Sequence, residues 1–141
     1  MQICELDLDF RIGHCNGTMS LQISFNDKIL DSFSKLPNDT LQVKYSVPLP
    51  GTLSFKLSGK NMNADTRIDE KGNIVADKYI ILENLSLGRF TVPQHTLKKI
   101  CTYQRIDNIT TNDNYWGFPG QVNINFDCSN VVKWHLINTK L

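Results

Sequence analysis

Hydrophobic residues recur at every second position in several short stretches of the chain. Leu21, Ile23 and Phe25 alternate with polar residues in one of these stretches. Successive side chains of a strand point to opposite faces, so this period of two predicts strands that are buried on one face. The same alternation occurs in the segments 3–10, 41–47, 53–57, 79–87 and 122–126. Turn residues separate the stretches at intervals of about 8–12 positions, which is typical of an antiparallel sandwich or barrel.

Helical patterns are scarce in this sequence. Only Thr96–Ile100 could form one or two helical turns, and the closing apolar run Val131–Ile137 predicts a final strand that buries Trp134 and turns His135 outward. Asn26-Asp27 is expected to form a tight turn, since both residues tolerate left-handed backbone. We therefore predict an all-β fold: an antiparallel, jelly-roll-like β-sandwich with at most one short helix, spanning 1–141 as a single domain.

Composition and charge narrow the range of partners. The 141 residues include 15 Lys and Arg against 14 Asp and Glu, a net charge of +1. This balance argues against nucleic-acid binding, which requires a basic surplus. No apolar run reaches the roughly 18–20 residues needed to span a bilayer, so no membrane partner is expected. Glu5 and Asp7 stand where a signal peptide would carry basic residues, so no secretory signal is expected and the four cysteines should be reduced.

The sequence lacks the common catalytic patterns. It has no G-x-S-x-G elbow for a serine nucleophile, no phosphate-binding G-x-x-x-x-G-K-[ST] loop and no C-x-x-C pair. The short chain also leaves little room for a deep cleft. We predict that the protein is not an enzyme.

One polar segment, residues 59–78, supports two interpretations. Asp65, Asp69, Asn73 and Asp77 recur every four positions, and a loop could fold their oxygens around a calcium ion, which takes six to eight oxygen ligands. The EF-hand order is absent. Alternatively, Asp69–Asn73 forms the tight turn of a hairpin, with Gly72 supplying a positive φ. The two interpretations are compatible, and calcium is the one cofactor that the sequence suggests.

A second segment concentrates aromatic residues before the strand 122–126. Tyr115, Trp116 and Phe118 could form an exposed platform, because aromatic side chains supply large contact area at low entropic cost. In the alternative interpretation, Trp116 or Phe118 closes one end of the sandwich core. Alternation cannot distinguish the two within a segment interrupted by glycine and proline.

Both segments also carry a family resemblance. The run G-K-N-x-N-x-D-T-x-I-D-x-x-G-N-I-V-A-D-K-x-I from Gly59, with the later Asn114–Gly120 segment, resembles a family of small β-sandwich proteins encoded by tailed bacteriophages. The resemblance covers roughly residues 53–136. It implies a virion protein made in the host cytoplasm, such as a capsid decoration, tail or fibre-associated protein. Such a protein acts through contacts with other virion proteins and with copies of itself in a homo-oligomer, and the family offers no catalytic residues to transfer.

The fold also suggests an alternative function. Jelly-roll sandwiches serve as carbohydrate-binding modules, which is an analogy at the level of fold alone. In that case a surface glycan of the host would stack on Tyr115, Trp116 or Phe118, with calcium held by the segment that contains Asp65 and Asp77.

Overall fold

The computed structural model describes residues 2–60 and 65–127, together with Trp134 and Asn138, and for Gln2 and Val75 it describes the backbone only. Between Gln2 and Asp127, the described residues form strands and one short helix. Their bounds are β1 Gln2–Gly13, β2 Ser20–Phe25, β3 Lys28–Phe33, β4 Asp39–Leu49, β5 Gly51–Ser58, β6 Thr66–Ile68, β7 Ile74–Asp77, β8 Tyr79–Leu87, β9 Phe90–Thr91, α1 Gln94–Ile100, β10 Thr102–Arg105, β11 Thr110–Asn112, β12 Tyr115–Trp116 and β13 Gly120–Phe126.

The strands form two large sheets and a separate hairpin. The first sheet has the order β12-β8-β1-β4, with β9 also paired to β8, and the second has the order β11-β10-β13-β5-β2-β3. In the part of the chain that the structure describes, β6 and β7 pair only with each other. Every pairing is antiparallel. The predicted antiparallel β-sandwich with a short helix is therefore confirmed.

The core lies between the two sheets and is built from the alternating residues that predicted the strands. Phe10 of β1 meets Phe55 of β5 edge to face, with ring centroids 5.7 Å apart. Each large apolar side chain buried in this way contributes about 1.5–3 kcal/mol. The strand residues that are buried almost completely include Leu6, Leu8, Ile12, Leu21, Ile23, Leu53, Ile80, Leu82, Val122, Ile124 and Phe126.

Local signals explain two features of the strands. Asn26 and Asp27 both have positive φ, 49° and 66°, and join β2 to β3 in the two-residue turn that suits the twist of a hairpin. In the pairing of β8 with β1, Leu82 is opposite Phe10 and Asn84 is opposite Asp9, so Glu83 forms a β-bulge. The segment 79–87 is thus one strand with a bulge.

The C-terminal strand prediction is wrong at Trp134, which is helical. The Asn138 side-chain amide donates to the Trp134 carbonyl at 2.8 Å, a contact between residues four apart. A short apolar run fits a buried helix as well as a strand, and the alternation could not separate them. Trp134 is nevertheless buried as predicted, with 1% exposure and its ring 4.9 Å from that of Phe126. His135 lies outside the described residues. Across the described ranges, no helix is both long and apolar enough to cross a bilayer.

Candidate functional site

Two tyrosine rings stack on the outer face of the first sheet. Tyr79 begins β8 and Tyr115 begins β12, and their ring centroids are 5.1 Å apart at an interplanar angle of 25°. Tyr115 pairs directly with Ile81, so Tyr79 is its diagonal neighbour, a separation that aromatic side chains can bridge. Tyr115 is 41% exposed. This tyrosine pair therefore presents aromatic surface to solvent.

Each ring of the tyrosine pair lies against a glycine. Gly13 is opposite Tyr79 in the β1–β8 ladder, and a Cβ on Gly13 would lie only 2.3 Å from Tyr79 Cε1. A Cβ on Gly117 would lie 3.1 Å from Tyr115 Cε1. Packing of an aromatic ring over a glycine on the neighbouring strand shields its backbone and fixes the ring. Gly13 therefore sets the position of the Tyr79 ring on the neighbouring strand, and Gly117, two residues after Tyr115 in the chain, leaves room for the Tyr115 ring.

A groove of about 430 Å³ includes the tyrosine pair in its lining. The β6–β7 hairpin contributes Ile74 and Asp77, and the chain around the end of β1 and the start of β4 contributes His14 and Asp39. Ile74 is 63% exposed, and the buried His14 Nε2 atom has no hydrogen-bond partner among the described residues. This tyrosine groove thus combines apolar surface with carboxylate and imidazole groups.

The Tyr115 hydroxyl is held as a hydrogen-bond donor. It lies 3.5 Å from Asp77 Oδ2. Burial, together with the negative charge of Asp77, raises the pKa of Tyr115 to about 12. The phenol therefore keeps its proton throughout the neutral pH range and can donate to a carboxylate or to a bound ligand.

The structure separates the three residues of the predicted aromatic platform. Trp116 is fully buried, its Nε1 donates to the Asp113 carbonyl at 2.7 Å, and its ring lies 5.1 Å from that of Phe55. Trp116 points inward because it follows Tyr115 on β12, where adjacent side chains face opposite sides. It therefore plugs the core, as the alternative interpretation predicted, and does not belong to a surface platform.

Phe118 is half-buried and lies outside the groove lining. The Arg105 guanidinium carbon sits 3.5 Å from the centroid of its ring, so a cation already covers it. Only Tyr115 of the three predicted residues lines the groove, and its partner is Tyr79. Tyr79 was not predicted from the sequence as a residue of the candidate site. Its signal was an aromatic side chain on the outward-facing position of a strand.

The predicted calcium ligands are also distributed over two places. Asp69 and Asn73 lie at the tip of the β6–β7 hairpin, where Asp69 Oδ1 accepts the backbone N–H groups of Lys71 and Asn73, both at 2.9 Å. Gly72 has a φ of +84°, as the turn requires. The hairpin interpretation is therefore confirmed.

Asp65 and Asp77 lie at the base of the same hairpin, beside two lysines. Asp77 Oδ1 is 2.6 Å from Lys60 Nζ, and Asp65 Oδ2 is 3.0 Å from Lys78 Nζ. Three to four extended residues separate the base from the tip, about 10 Å or more along a strand. Among the described residues, no three His, Cys, Asp or Glu side chains are grouped so as to hold a metal ion.

Comparisons with known proteins identify the fold. No family model matches the chain, and no curated protein matches it. One similar solved structure is vCBM60 in complex with galactobiose, with a TM-score of 0.55, 11% identity, and coverage of 86% of this chain and 97% of that one. A second structure of vCBM60 comes from work on circular permutation as a link between two families of calcium-dependent carbohydrate-binding modules. It has a TM-score of 0.58, 9% identity, and coverage of 86% of this chain and 90% of that one. Similarity at these identities establishes the sandwich fold.

Proposed function

We propose that this protein binds carbohydrate in the tyrosine groove. The observation that carries the proposal is the stacked, partly exposed Tyr79–Tyr115 pair beside the carboxylates of Asp77 and Asp39. The C–H faces of a sugar ring pack on aromatic surface, and its hydroxyl groups donate to carboxylates in charge-assisted hydrogen bonds. The groove offers both kinds of contact within one small volume.

The charge and size of the groove favour a short neutral sugar. The exposed Asp39 would repel the carboxylates of an acidic polysaccharide, whereas Asp39 and Asp77 can both accept hydrogen bonds from neutral hydroxyl groups. A volume of about 430 Å³ falls within the range of about 300–1,000 Å³ that is usual for ligand sites. We expect one or two sugar residues of a neutral chain to occupy the groove.

The structural comparisons support a carbohydrate ligand. The fold of vCBM60, a carbohydrate-binding module seen in complex with galactobiose, extends over 86% of this chain. Galactobiose is therefore a suitable first probe. We propose binding without catalysis, since the Asp77 carboxylate of the groove is held in an ion pair with Lys60.

A calorimetric titration with neutral oligosaccharides, galactobiose among them, tests the proposal. Tyr115→Ala should weaken binding at least tenfold, because it removes the exposed ring. Ile106→Ala is the matched control, since Ile106 is a 70% exposed apolar residue that does not line the groove. Equal affinities for Tyr115→Ala and the wild type, or no binding of any neutral sugar by the wild type, would contradict the proposal.

The resemblance to tailed-phage proteins suggests a biological role for sugar binding. We propose attachment of a particle to a host-surface glycan, with the protein held among other virion proteins as a homo-oligomer. Mass spectrometry of purified particles tests this part separately. Absence of the protein from mature particles would refute it and leave sugar binding unaffected.

A further inference from the structure

Lys60 is buried beside the groove with all of its hydrogen-bonding capacity used. Its side chain is only 2% exposed. Its Nζ atom donates to Asp77 Oδ1 at 2.6 Å, to the Lys78 carbonyl at 3.0 Å and to the Gly117 carbonyl at 2.7 Å. An ammonium group has three N–H donors, so each one has an oxygen acceptor. The arrangement resembles an oxygen cage around a cation.

Lys78 forms a second ion pair in the same region. Its Nζ atom lies 3.0 Å from Asp65 Oδ2 and 3.1 Å from the Gly59 carbonyl. The side chains of Lys78 and Asp65 are only 8% and 6% exposed. The other Asp65 oxygen accepts from the Asn16 side-chain amide at 3.4 Å. We call Lys60, Lys78, Asp65 and Asp77 the lysine–aspartate cluster.

The cluster does not fit a calcium ion. Calcium takes six to eight oxygens at about 2.3–2.6 Å, whereas the carboxylates here are already bound to ammonium groups. The two lysines balance the charge of the two aspartates. A calcium ion entering the cluster would meet two fixed positive charges at a buried position, where solvent and salt screen the repulsion poorly.

We infer that Lys60 and Lys78 take the structural role of a bound cation, so that the fold does not depend on calcium. The cluster joins the chain just after β5, the base of the β6–β7 hairpin and the loop between β12 and β13 that contains Gly117. Lys60 also fixes Asp77, whose second carboxylate oxygen faces Tyr115. If the proposed function holds, sugar binding in the tyrosine groove is independent of calcium as well.

Thermal unfolding of the full chain tests the inference without any sugar. The melting temperature should be the same, within about 1 °C, in millimolar calcium chloride and in millimolar EDTA. A ligand that binds only the folded state raises its stability. A melting temperature several degrees higher in calcium, or calcium binding at micromolar concentration by calorimetry, would overturn the inference.

A pair of lysine variants tests the role of the ammonium group. Lys60→Met keeps the aliphatic stem but leaves the Asp77 carboxylate without its cation, so the melting temperature should fall by roughly 10 °C or more. Lys56→Met is the matched control, because Lys56 is an exposed lysine of β5, the strand that ends just before Lys60. This substitution should change the melting temperature little. Equal effects of the two substitutions would overturn the inference.

The two proposals fail in different ways. If no sugar binds and the melting temperature is the same in calcium chloride and in EDTA, the proposed function is wrong and the cluster inference stands. If sugar binds and the melting temperature rises by several degrees in calcium, the proposed function stands and the cluster inference is wrong.

Discussion

The contact between Gly13 and the Tyr79 ring can be tested by a substitution whose effect should change sign. Gly13 is buried, and its φ lies outside the left-handed region, so the backbone accepts alanine. The added Cβ would lie 2.3 Å from Cε1, 2.4 Å from Cδ1 and 2.7 Å from Cζ of Tyr79. Gly13→Ala therefore forces the ring off its position.

The expected magnitudes follow from this overlap. Overpacking costs about 1–3 kcal/mol, and the displaced ring also loses its stacking on Tyr115, about 0.5–1.5 kcal/mol. Gly13→Ala should therefore destabilise the wild type by about 1.5–4.5 kcal/mol. In the Tyr79→Ala background the clash is absent, and alanine is favoured over glycine in a strand by roughly 0.5–1 kcal/mol. There the same substitution should be neutral or stabilising.

The assay is urea unfolding of the wild type, the two single variants and the double variant. The coupling energy of this double-mutant cycle isolates the contact between positions 13 and 79. Tyr79→Ala should lower sugar affinity, and Gly13→Ala should lower it through displacement of the ring. If Gly13→Ala costs the same in both backgrounds, the ring does not cover the glycine and the reasoning about the tyrosine pair fails.

Two further predictions concern titration and thiol chemistry. Burial raises the pKa of Tyr103 to about 12, as it does for Tyr115, so the folded state holds these phenol protons more tightly than the unfolded chain. This contribution to stability is present below pH 10 and is lost as the pH rises through 12. The urea concentration at the unfolding midpoint should therefore fall between pH 10 and pH 12. An unchanged midpoint would contradict the raised pKa values of the two tyrosines. Cys101 is fully buried, and this burial raises its pKa to about 12. A thiol reagent should therefore leave Cys101 unlabelled until the protein unfolds, which peptide mass spectrometry can check. Rapid labelling in native buffer would count against that burial.

Much of the fold could be predicted because its signals are local. A period of two marks the buried faces of β2, β5 and β13, and Asn26-Asp27 provides the left-handed residues of a hairpin turn. The Asp69–Asn73 turn was predictable for the same reason. The helical conformation at Trp134 was not predictable, because a short apolar run has no periodicity that distinguishes strand from helix.

The site could be predicted only in part because it depends on contacts between distant residues. Tyr115 was predicted, but Tyr79 is 36 positions earlier and becomes its neighbour only through the pairing of β12 with β8. A repeat of four suggested that four oxygen-bearing side chains converge, yet on a hairpin such a repeat places two of them at the base and two at the tip. The ion pairs of Lys60 and Lys78 span 17 and 13 positions, and no sequence pattern records them.

An NMR titration of the labelled protein with galactobiose tests the central claim most directly. Our account predicts saturable chemical-shift changes centred on Tyr79, Tyr115 and Asp39, unchanged when EDTA is added. Changes centred instead on the groove of Gln22, Phe33 and Lys56 on the second sheet, with the tyrosine resonances unmoved, would contradict it.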